Sequence, residues 1–484
     1  MGRNDRPNIL IAMSDNHSAC APPPSLAHHT PTLQRMAREG VVFGEARTPT
    51  PMCAPARASL MSGLYAQRHG MWNNNHTPAA MRLDIASGVR LWSESLRAAG
   101  YRLRYTGKWH VSATRSPEAF GWEVPVGAAQ AGAASLPRRY AQQTKGAGLS
   151  HARYVDRIGW PQHLLYGARS EGRTADEALT DHAVELIQEQ ASWHEPWCLY
   201  VGWIAPHDPY VAPTRCVQCY QPAEIAKPAS YDDSLQDKPR LYRRLREEIW
   251  PMGWEDASEM LRHYYGMITL IDEQLGRLLE ALRSTGQDEN TLVIYTSDHG
   301  DLCGGHGLFT MGLAAFEETY RIPLLMRWPA GISAPGRSVV ARVGLQDIGP
   351  TILDLAGAQA LQGIDGRSLA PFLHSSAEAG PAWSEYYGVF MGQENFYTQR
   401  VVWAQRYKYV WNTFDYDELY DLAADPHELV NLARKEKYDG VLRQMAGRMW
   451  HWAGRTGDII GNRYPTNALL KYGPADASIR DTTG

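Results

Sequence analysis

Several short runs in this chain are apolar almost throughout, and each ends on a residue that can do chemistry. Ile9 to Met13 runs into Ser14-Asp15, and Thr291 to Tyr295 runs into Ser297-Asp298-His299. Trp197 to Ile204 precedes His207; a short strand-like stretch, Tyr101 to Tyr105, which carries Arg102 and Arg104, precedes Lys108 and His110. Runs of this length without polar alternation suit strands covered on both faces. Helical patterns lie between them. Thr30-Pro31 opens a helix ending at Gly40, and another covers Leu91 to Ala99. Thr174 to Ser192 keeps Ala178, His182, Val184, Leu186 and Ile187 on one side. Ser258 to Ser284 repeats Leu261, Tyr265, Ile268, Ile271, Leu275, Leu279 and Leu282 at helical spacing. Ile322 to Arg327 reads as a strand bounded by Pro329. Alternating strands and helices predict an α/β fold with a doubly wound sheet flanked by helices.

In such sheets ligands bind outside the carboxyl ends of the strands. Asp15, Lys108, His110, His207, Asp298 and His299 all follow predicted strands, so one site assembled from distant segments is expected. With 484 residues the chain has room for a large domain and a smaller one. The expected division is a catalytic α/β domain over 1–370, a small α+β subdomain over 371–454 and an extended tail over 455–484. Ala370 to Gly380 reads as a Ser/Ala/Gly linker. The stretches Arg115 to Gln162 and Cys216 to Met252 read as long segments walling a pocket, with Arg138, Arg139, His151 and Arg153 available to an anionic sugar. A formal net charge of −4 gives no sign of a nucleic-acid partner, and no apolar run has the length of a membrane span. The N-terminus lacks a secretory pattern, so a cytoplasmic protein is expected, or a periplasmic or secreted one whose signal was trimmed. Six cysteines are too sparse for a disulfide scaffold. Cys216 and Cys219 form a lone CxxC, read as loop cysteines.

One segment carries more chemistry than the rest. Cys53-Ala54-Pro55-Ala56-Arg57 leads into Ala58-Ser59-Leu60-Met61-Ser62-Gly63. Cys53 is expected at the mouth of a helix, where free backbone N–H groups favour anions, with Arg57 one turn further in. The segment resembles the signature of the type I, formylglycine-dependent sulfatases of the alkaline phosphatase superfamily. Three more blocks resemble that family in the same order. They are Gly107-Lys108-Trp109-His110, then Thr296 to Asp301 with Gly304-Gly305-His306-Gly307-Leu308, then Glu418-Leu419-Tyr420-Asp421-Leu422 with Asp425-Pro426, Glu428 and Asn431-Leu432. Pro206 to Pro209 and Phe316 to Pro323 agree as well.

The resemblance implies an alkaline-phosphatase-like fold, a doubly wound mixed sheet flanked by helices with a small C-terminal α+β subdomain, and hydrolysis of a sugar, aryl or alkyl sulfate ester. A formylglycine-generating enzyme would convert Cys53 to an aldehyde, whose hydrate is the nucleophile. Asp15, Asn16, residue 53, Asp298 and His299 would hold a divalent cation, with calcium favoured and manganese or magnesium open. Arg57 and Lys108 would add fixed positive charge, His110 would act as the base that releases sulfate, and His207 would face the leaving oxygen. Asn74 stands where some relatives contact the sulfate, and a homo-oligomer is compatible with the sequence. Departures accompany the matches. Asn16 replaces a common Asp, and His299 a common Asn. Met311 stands where the family usually has a sulfate-clamping Lys, and no Lys occurs from Gly300 to Arg400. His306 or Arg321 is the expected substitute for that Lys, unless the leaving group needs less help. Two rival readings are a phosphonate monoester or phosphodiester hydrolase and a non-catalytic sulfatase-like binding protein.

Overall fold

The computed structural model describes residues 6–125, 149–157, 160–375, 380–392, 397–458 and 471–473. Its strands are Asn8–Ser14 (β1), Val41–Arg47 (β2), Arg102–Gly107 (β3), Leu149–Arg157 (β4), Trp160–Arg169 (β5), Trp197–Gly202 (β6) and Tyr210–Pro213 (β7). Thr291–Ser297 (β8), Leu324–Arg327 (β9), Arg337–Gly344 (β10), Glu385–Met391 (β11), Thr398–Ala404 (β12), Tyr407–Asn412 (β13) and Glu418–Asp421 (β14) follow. The main sheet has seven strands in the order β10-β2-β9-β8-β1-β6-β3. β3, β6, β1 and β8 are mutually parallel. β9 runs against both β8 and β2, so β2 points the same way as β8. β10 is parallel to β2, so six strands present their carboxyl ends at one edge and β9 alone is reversed.

Both faces of the sheet are covered, which is why its central strands read as unbroken apolar runs. Leu10, Ala12, Leu199, Val201, Val293 and Tyr295 pack on one side, with the helices Ala175–Gln190 and Trp254–Ser284. Ile9, Ile11, Met13, Cys198, Tyr200, Leu292 and Ile294 pack on the other, with Cys53–Ser62, Trp92–Ala98 and Ile348–Leu355. The Trp254–Ser284 helix buries Leu261, Ile268, Ile271, Leu275, Leu279 and Leu282, each side chain contributing about 1.5–3 kcal/mol. The edge strand β3 tolerates Arg104 because its guanidinium reaches Glu189 at 2.6 Å and stacks over Trp193.

Other segments differ from the sequence reading. Part of the expected 115–162 loop forms the β4–β5 hairpin, whose β5 pairs in parallel with β7. Its Arg- and His-bearing strand has no apolar alternation to announce it. Arg138 and Arg139 lie outside the described residues. The start of the expected 370–380 linker is the helix Ala370–His374, whose Ala370, Phe372 and Leu373 are buried in the second core. Small-residue composition hid two apolar side chains that pack there. The helix Asp439–Thr456 extends into the expected tail, of which 459–470 and 474–484 lie outside the described residues.

β11 to β14 form a four-stranded antiparallel sheet backed by the Asp439–Thr456 helix. A buried ionic chain joins this sheet to the main one. Lys408 on β13 meets Glu428 at 2.6 Å and Glu317 at 3.4 Å. Glu317 in turn meets Arg47 at the end of β2 at 2.6 Å. The Glu428 carboxylate also accepts the Glu317 backbone N–H at 2.8 Å. The C-terminal sequence block thus fixes the segment that follows the Gly300–Met311 loop. No described helix is long and apolar enough to cross a membrane.

Candidate active site

The polar residues at the strand ends converge. β1 delivers Asp15 and Asn16, and β8 delivers Asp298 and His299. β3 delivers Lys108 and His110, and the segment after β6 delivers His207. Gly107 makes the β3 end possible: its φ is +100°, and a Cβ there would stand 2.1 Å from the Gly202 carbonyl oxygen. That close approach lets the Lys108 N–H bond the same carbonyl at 2.9 Å while the chain turns inward.

Cys53 is the first residue of the Cys53–Ser62 helix, all ten residues of which are buried. Small side chains let this helix lie against the sheet, and Gly63 ends it at φ 72°. Asn74 Oδ1 accepts the Ala54 N–H at 2.9 Å, so Asn74 caps the helix that carries the nucleophile position. The Cys53 Sγ lies 3.2 Å from His299 Nε2, 3.8 Å from Asp15 Oδ1 and 3.8 Å from Met311 Sδ. Arg57, one turn on, donates to Asp298 Oδ2 at 2.8 Å, Asp15 Oδ2 at 3.0 Å and the Lys108 carbonyl at 2.9 Å. The Lys108 ammonium also bonds Asp15 Oδ2. Two buried carboxylates are thereby matched by two buried cations.

Burial opposes charge on Asp15, but Lys108, His207 and Arg57 outweigh it and hold the carboxyl well below its usual range. Burial and the Asp15 charge push the Cys53 thiol up. A thiol so placed is no thiolate at neutral pH, so Cys53 as encoded is not an activated cysteine nucleophile. Burial alone would lower His207, yet Asp208 and Asp15 raise it to about 9. Its Nδ1–H donates to the Asp208 carbonyl at 2.7 Å, leaving Nε2 turned toward Asp15 Oδ1 at 4.0 Å.

Ligand atoms of Asp15, Cys53, Asp298 and His299 all lie within 4.8 Å of one another. His299 Nδ1–H donates to the Gly300 carbonyl at 3.0 Å, which puts the lone pair on Nε2. That lone pair faces Asp298 Oδ1 at 3.7 Å and Asp15 Oδ1 at 3.9 Å, an arrangement of acceptors that a cation would satisfy. Asn16 adds a second sign. Its Nδ2 donates to Asp301 Oδ2 at 2.6 Å, which fixes the amide orientation and leaves Oδ1 buried with no hydrogen-bond partner. The donor set of carboxylates, amide oxygen and imidazole fits a hard divalent cation.

His110 sits beside this group, buried, at a left-handed φ of 56°. Met311 lies where the sequence places it, beside Cys53, as an uncharged thioether. His306 does not join the site. Its ring stacks on Phe316 at 3.6 Å, and Nδ1 bonds Asp233 at 2.7 Å, so it packs the loop instead of reaching Cys53. Arg321 is likewise committed elsewhere, to the Gly44 carbonyl at 2.6 Å. The expected substitutes for the missing Lys are thus both engaged outside the centre. Cys216 and Cys219 are free thiols. The cation-type cluster at Cys53 is the one present among the described residues.

The sequence reading missed the supporting layer. Asp301 accepts from Asn16, from the Tyr210 hydroxyl at 2.6 Å and from the Thr310 N–H at 3.1 Å, tying three segments of the site together. Tyr105 and Tyr200 stack at 4.4 Å under Arg57, and the Tyr105 hydroxyl donates to the Lys108 carbonyl at 2.6 Å. The Asn16–Asp301, Tyr210–Asp301 and Tyr105–Tyr200 contacts join residues far apart in sequence, and a buried Tyr in a strand gives no local signal of its partner.

Comparison with known proteins agrees with this layout. Residues 8–358 match the sulfatase family, and residues 304–454 match the C-terminal family of N-sulphoglucosamine sulphohydrolase. A choline-sulfatase of Rhizobium meliloti is 29% identical over 455 residues, covering 89% of this chain and 83% of that protein. A structure in complex with its substrate D-glucosamine-2-N,6-O-disulfate superposes with a TM-score of 0.73 at 23% identity, covering 94% of this chain and 98% of that one. A phosphonate monoester hydrolase from Silicibacter pomeroyi superposes with a TM-score of 0.75 at 22% identity, over 93% and 96% of the two chains. The last two likenesses concern the fold. The match across the whole main sheet, on a chain whose strand ends meet around Cys53, shows that this protein belongs to the sulfatase family.

Proposed function

We propose that the chain hydrolyses a sulfate ester of a small molecule or carbohydrate, with residue 53 matured to formylglycine. The observation that carries this reading is the Asp15–Cys53–Asp298–His299 group, closed by Arg57 and Lys108. Water replaces the alcohol: the sulfate ester and water give the alcohol, sulfate and a proton. A hydrated formylglycine supplies an oxygen nucleophile that the thiol does not. A divalent cation, calcium by preference, would be held by Asp15, Asn16, residue 53, Asp298 and His299, and would offset the charge of the sulfate oxygens.

The chain's own residues then have separate tasks. Arg57 and Lys108 keep Asp15 and Asp298 ionised and oriented, and they add positive charge beside the sulfate position. His207, held protonated by Asp208 and Asp15, donates a proton to the leaving oxygen. His110, neutral and buried, accepts the proton when sulfate departs. The choline-sulfatase and the glucosamine-disulfate complex among the similar proteins support a small sulfated alcohol or sugar as substrate class. A formylglycine-generating enzyme is the maturation partner this chemistry requires.

The test is direct. Protein produced with a formylglycine-generating enzyme should show residue 53 as the aldehyde by peptide mass. It should turn over an aryl sulfate with a higher kcat/KM than phenyl phosphonate, and Cys53→Ala should be inactive. Full activity in Cys53→Ala, or activity indifferent to exhaustive chelation and to both Asp15→Ala and Asp298→Ala, refutes the reading. A preference for the phosphonate would move the chain to the other chemistry known on this fold.

A further inference from the structure

His110 Nε2 lies 2.8 Å from Nδ1 of His76, with the ring centroids 4.9 Å apart. His76 is exposed, whereas His110 is buried. The other ring nitrogen of His110, Nδ1, is buried without a hydrogen-bond partner. The pair is held from both sides. His110 is fixed at φ 56°, a conformation few non-glycine residues adopt without support. His76 follows the run Asn73-Asn74-Asn75, each member of which is pinned. Asn73 Nδ2 donates to the Ala79 carbonyl at 3.0 Å, and Asn75 Nδ2 to the Leu83 carbonyl at 3.1 Å. Asn74 caps the Cys53 helix. The loop that fixes the nucleophile position therefore also presents His76 to His110.

Burial and the positive charge of Lys108 keep His110 neutral, so its ring carries a single N–H. Two tautomers satisfy the 2.8 Å contact. In one, His76 donates and His110 keeps its proton on Nδ1, leaving a buried N–H without an acceptor among the positive charges of Lys108 and Arg57. In the other, His110 donates from Nε2 to the His76 Nδ1 lone pair, and the buried Nδ1 keeps its lone pair. The second avoids placing a proton against those charges.

We infer that His76 is a positioning residue for His110: it accepts the Nε2 proton and so leaves the lone pair of the buried Nδ1 as the base. The tautomer stands on the geometry, and its use as a base rests on the sulfatase reading. When Nδ1 takes a proton, the Nε2–H bond to His76 stabilises the imidazolium, as a hydrogen-bonded partner orients the imidazole of other catalytic histidines.

Two readouts test this in the full-length protein. In protein labelled with 15N-histidine and still carrying the Cys53 thiol, His110 should show a protonated Nε2 and a lone pair on Nδ1. His76→Leu should abolish that single tautomer, and His76→Gln, which keeps a carbonyl acceptor, should restore it. In the converted enzyme His76→Leu should lower kcat on the order of tenfold to a hundredfold with KM little changed, and His76→Gln should recover most of it. A proton on Nδ1 in the wild type, or an unchanged tautomer in His76→Leu, overturns the inference whatever the activity. Wild-type kcat in His110→Ala overturns instead the reading of His110 as the base, which the tautomer signal does not address.

Discussion

Arg57→Lys keeps the charge at the centre of the site but should not keep the site. The guanidinium joins three acceptors at once: Asp298 Oδ2 at 2.8 Å, Asp15 Oδ2 at 3.0 Å and the Lys108 carbonyl at 2.9 Å. An ammonium is a point donor on a flexible stem and cannot span both carboxylates. Lys108 already serves Asp15, so Asp298 loses the guanidinium bonded to it. Two charge-assisted hydrogen bonds at about 1.5–3 kcal/mol each are removed. Breaking a fully buried pair costs about 3–5 kcal/mol by a separate route, so the two figures agree at roughly 4 kcal/mol. Both carboxylates are fully buried, so solvent does little to reduce the loss. Urea unfolding should show this deficit in chelated protein and a smaller one at saturating cation, because a bound cation again neutralises Asp298. The kcat/KM for an aryl sulfate should fall on the order of 10²–10³, the usual cost of losing one preorganised charge-stabilising donor. Equal unfolding midpoints with chelator, together with kcat/KM within about twofold of wild type, would show that Arg57 does not organise the carboxylates.

Two further substitutions separate reaction chemistry from architecture. Met311→Lys places an ammonium beside residue 53, where Sδ now lies 3.8 Å from Sγ, and should raise kcat/KM on sulfates with poor leaving groups more than on activated aryl sulfates; a large fall on both would mark Met311 as an apolar contact for the substrate. Lys408→Met strands Glu428 in the joint between the two sheets and should cost about 3–5 kcal/mol in denaturant unfolding, while Lys408→Met with Glu428→Gln should recover much of it; a double variant no better than the single would place the strength of that joint elsewhere.

What the sequence makes legible here follows from what is local. Asp15, Asp298 and His299 stand at the ends of runs buried on both faces, and burial writes itself into the run as an absence of polar residues. Lys108 follows an edge strand with two arginines, and it was readable because Gly107 and His110 bracket it in a known block. Cys53 was readable from the spacing of Cys53, Pro55 and Arg57 that resembles the family signature, and the small residues after it let its helix sink wholly into the protein. Asn74 was placed near the sulfate by resemblance, and the geometry gives it a helix to cap. His306 shared a motif with the cluster residues, yet Asp233 and Phe316 hold it apart from Cys53, and nothing in the motif encodes those partners. His76 is exposed and belongs to no periodic pattern. Its meaning depends on a contact with a residue 34 positions away. The β4–β5 hairpin and the Ala370–His374 helix were hidden for the opposite reason: composition there mimics loop.

The charge balance explains why one missing lysine matters to what the site can accept. Asp15 and Asp298 are matched by Arg57 and Lys108, so these four side chains sum to zero. On the proposed reading, attraction for an anionic ester would come from a bound cation and from His207, whose pKa Asp208 and Asp15 raise to about 9. The common family arrangement adds a lysine on the leaving-group side. Here that place is a thioether, and His306 and Arg321 are both engaged outside the centre. On the proposed reading, His207 would then be the main proton donor to the leaving oxygen among the described residues. That help counts most for alcohols and least for phenols, since a phenolate departs with little protonation. On the proposed reading, the uncharged Met311 thioether beside residue 53 would also spare a cationic alcohol the repulsion of a lysine. The proposed reading then favours an ester whose alcohol either leaves readily or gains more from contact with Met311 than it loses from the absent charge.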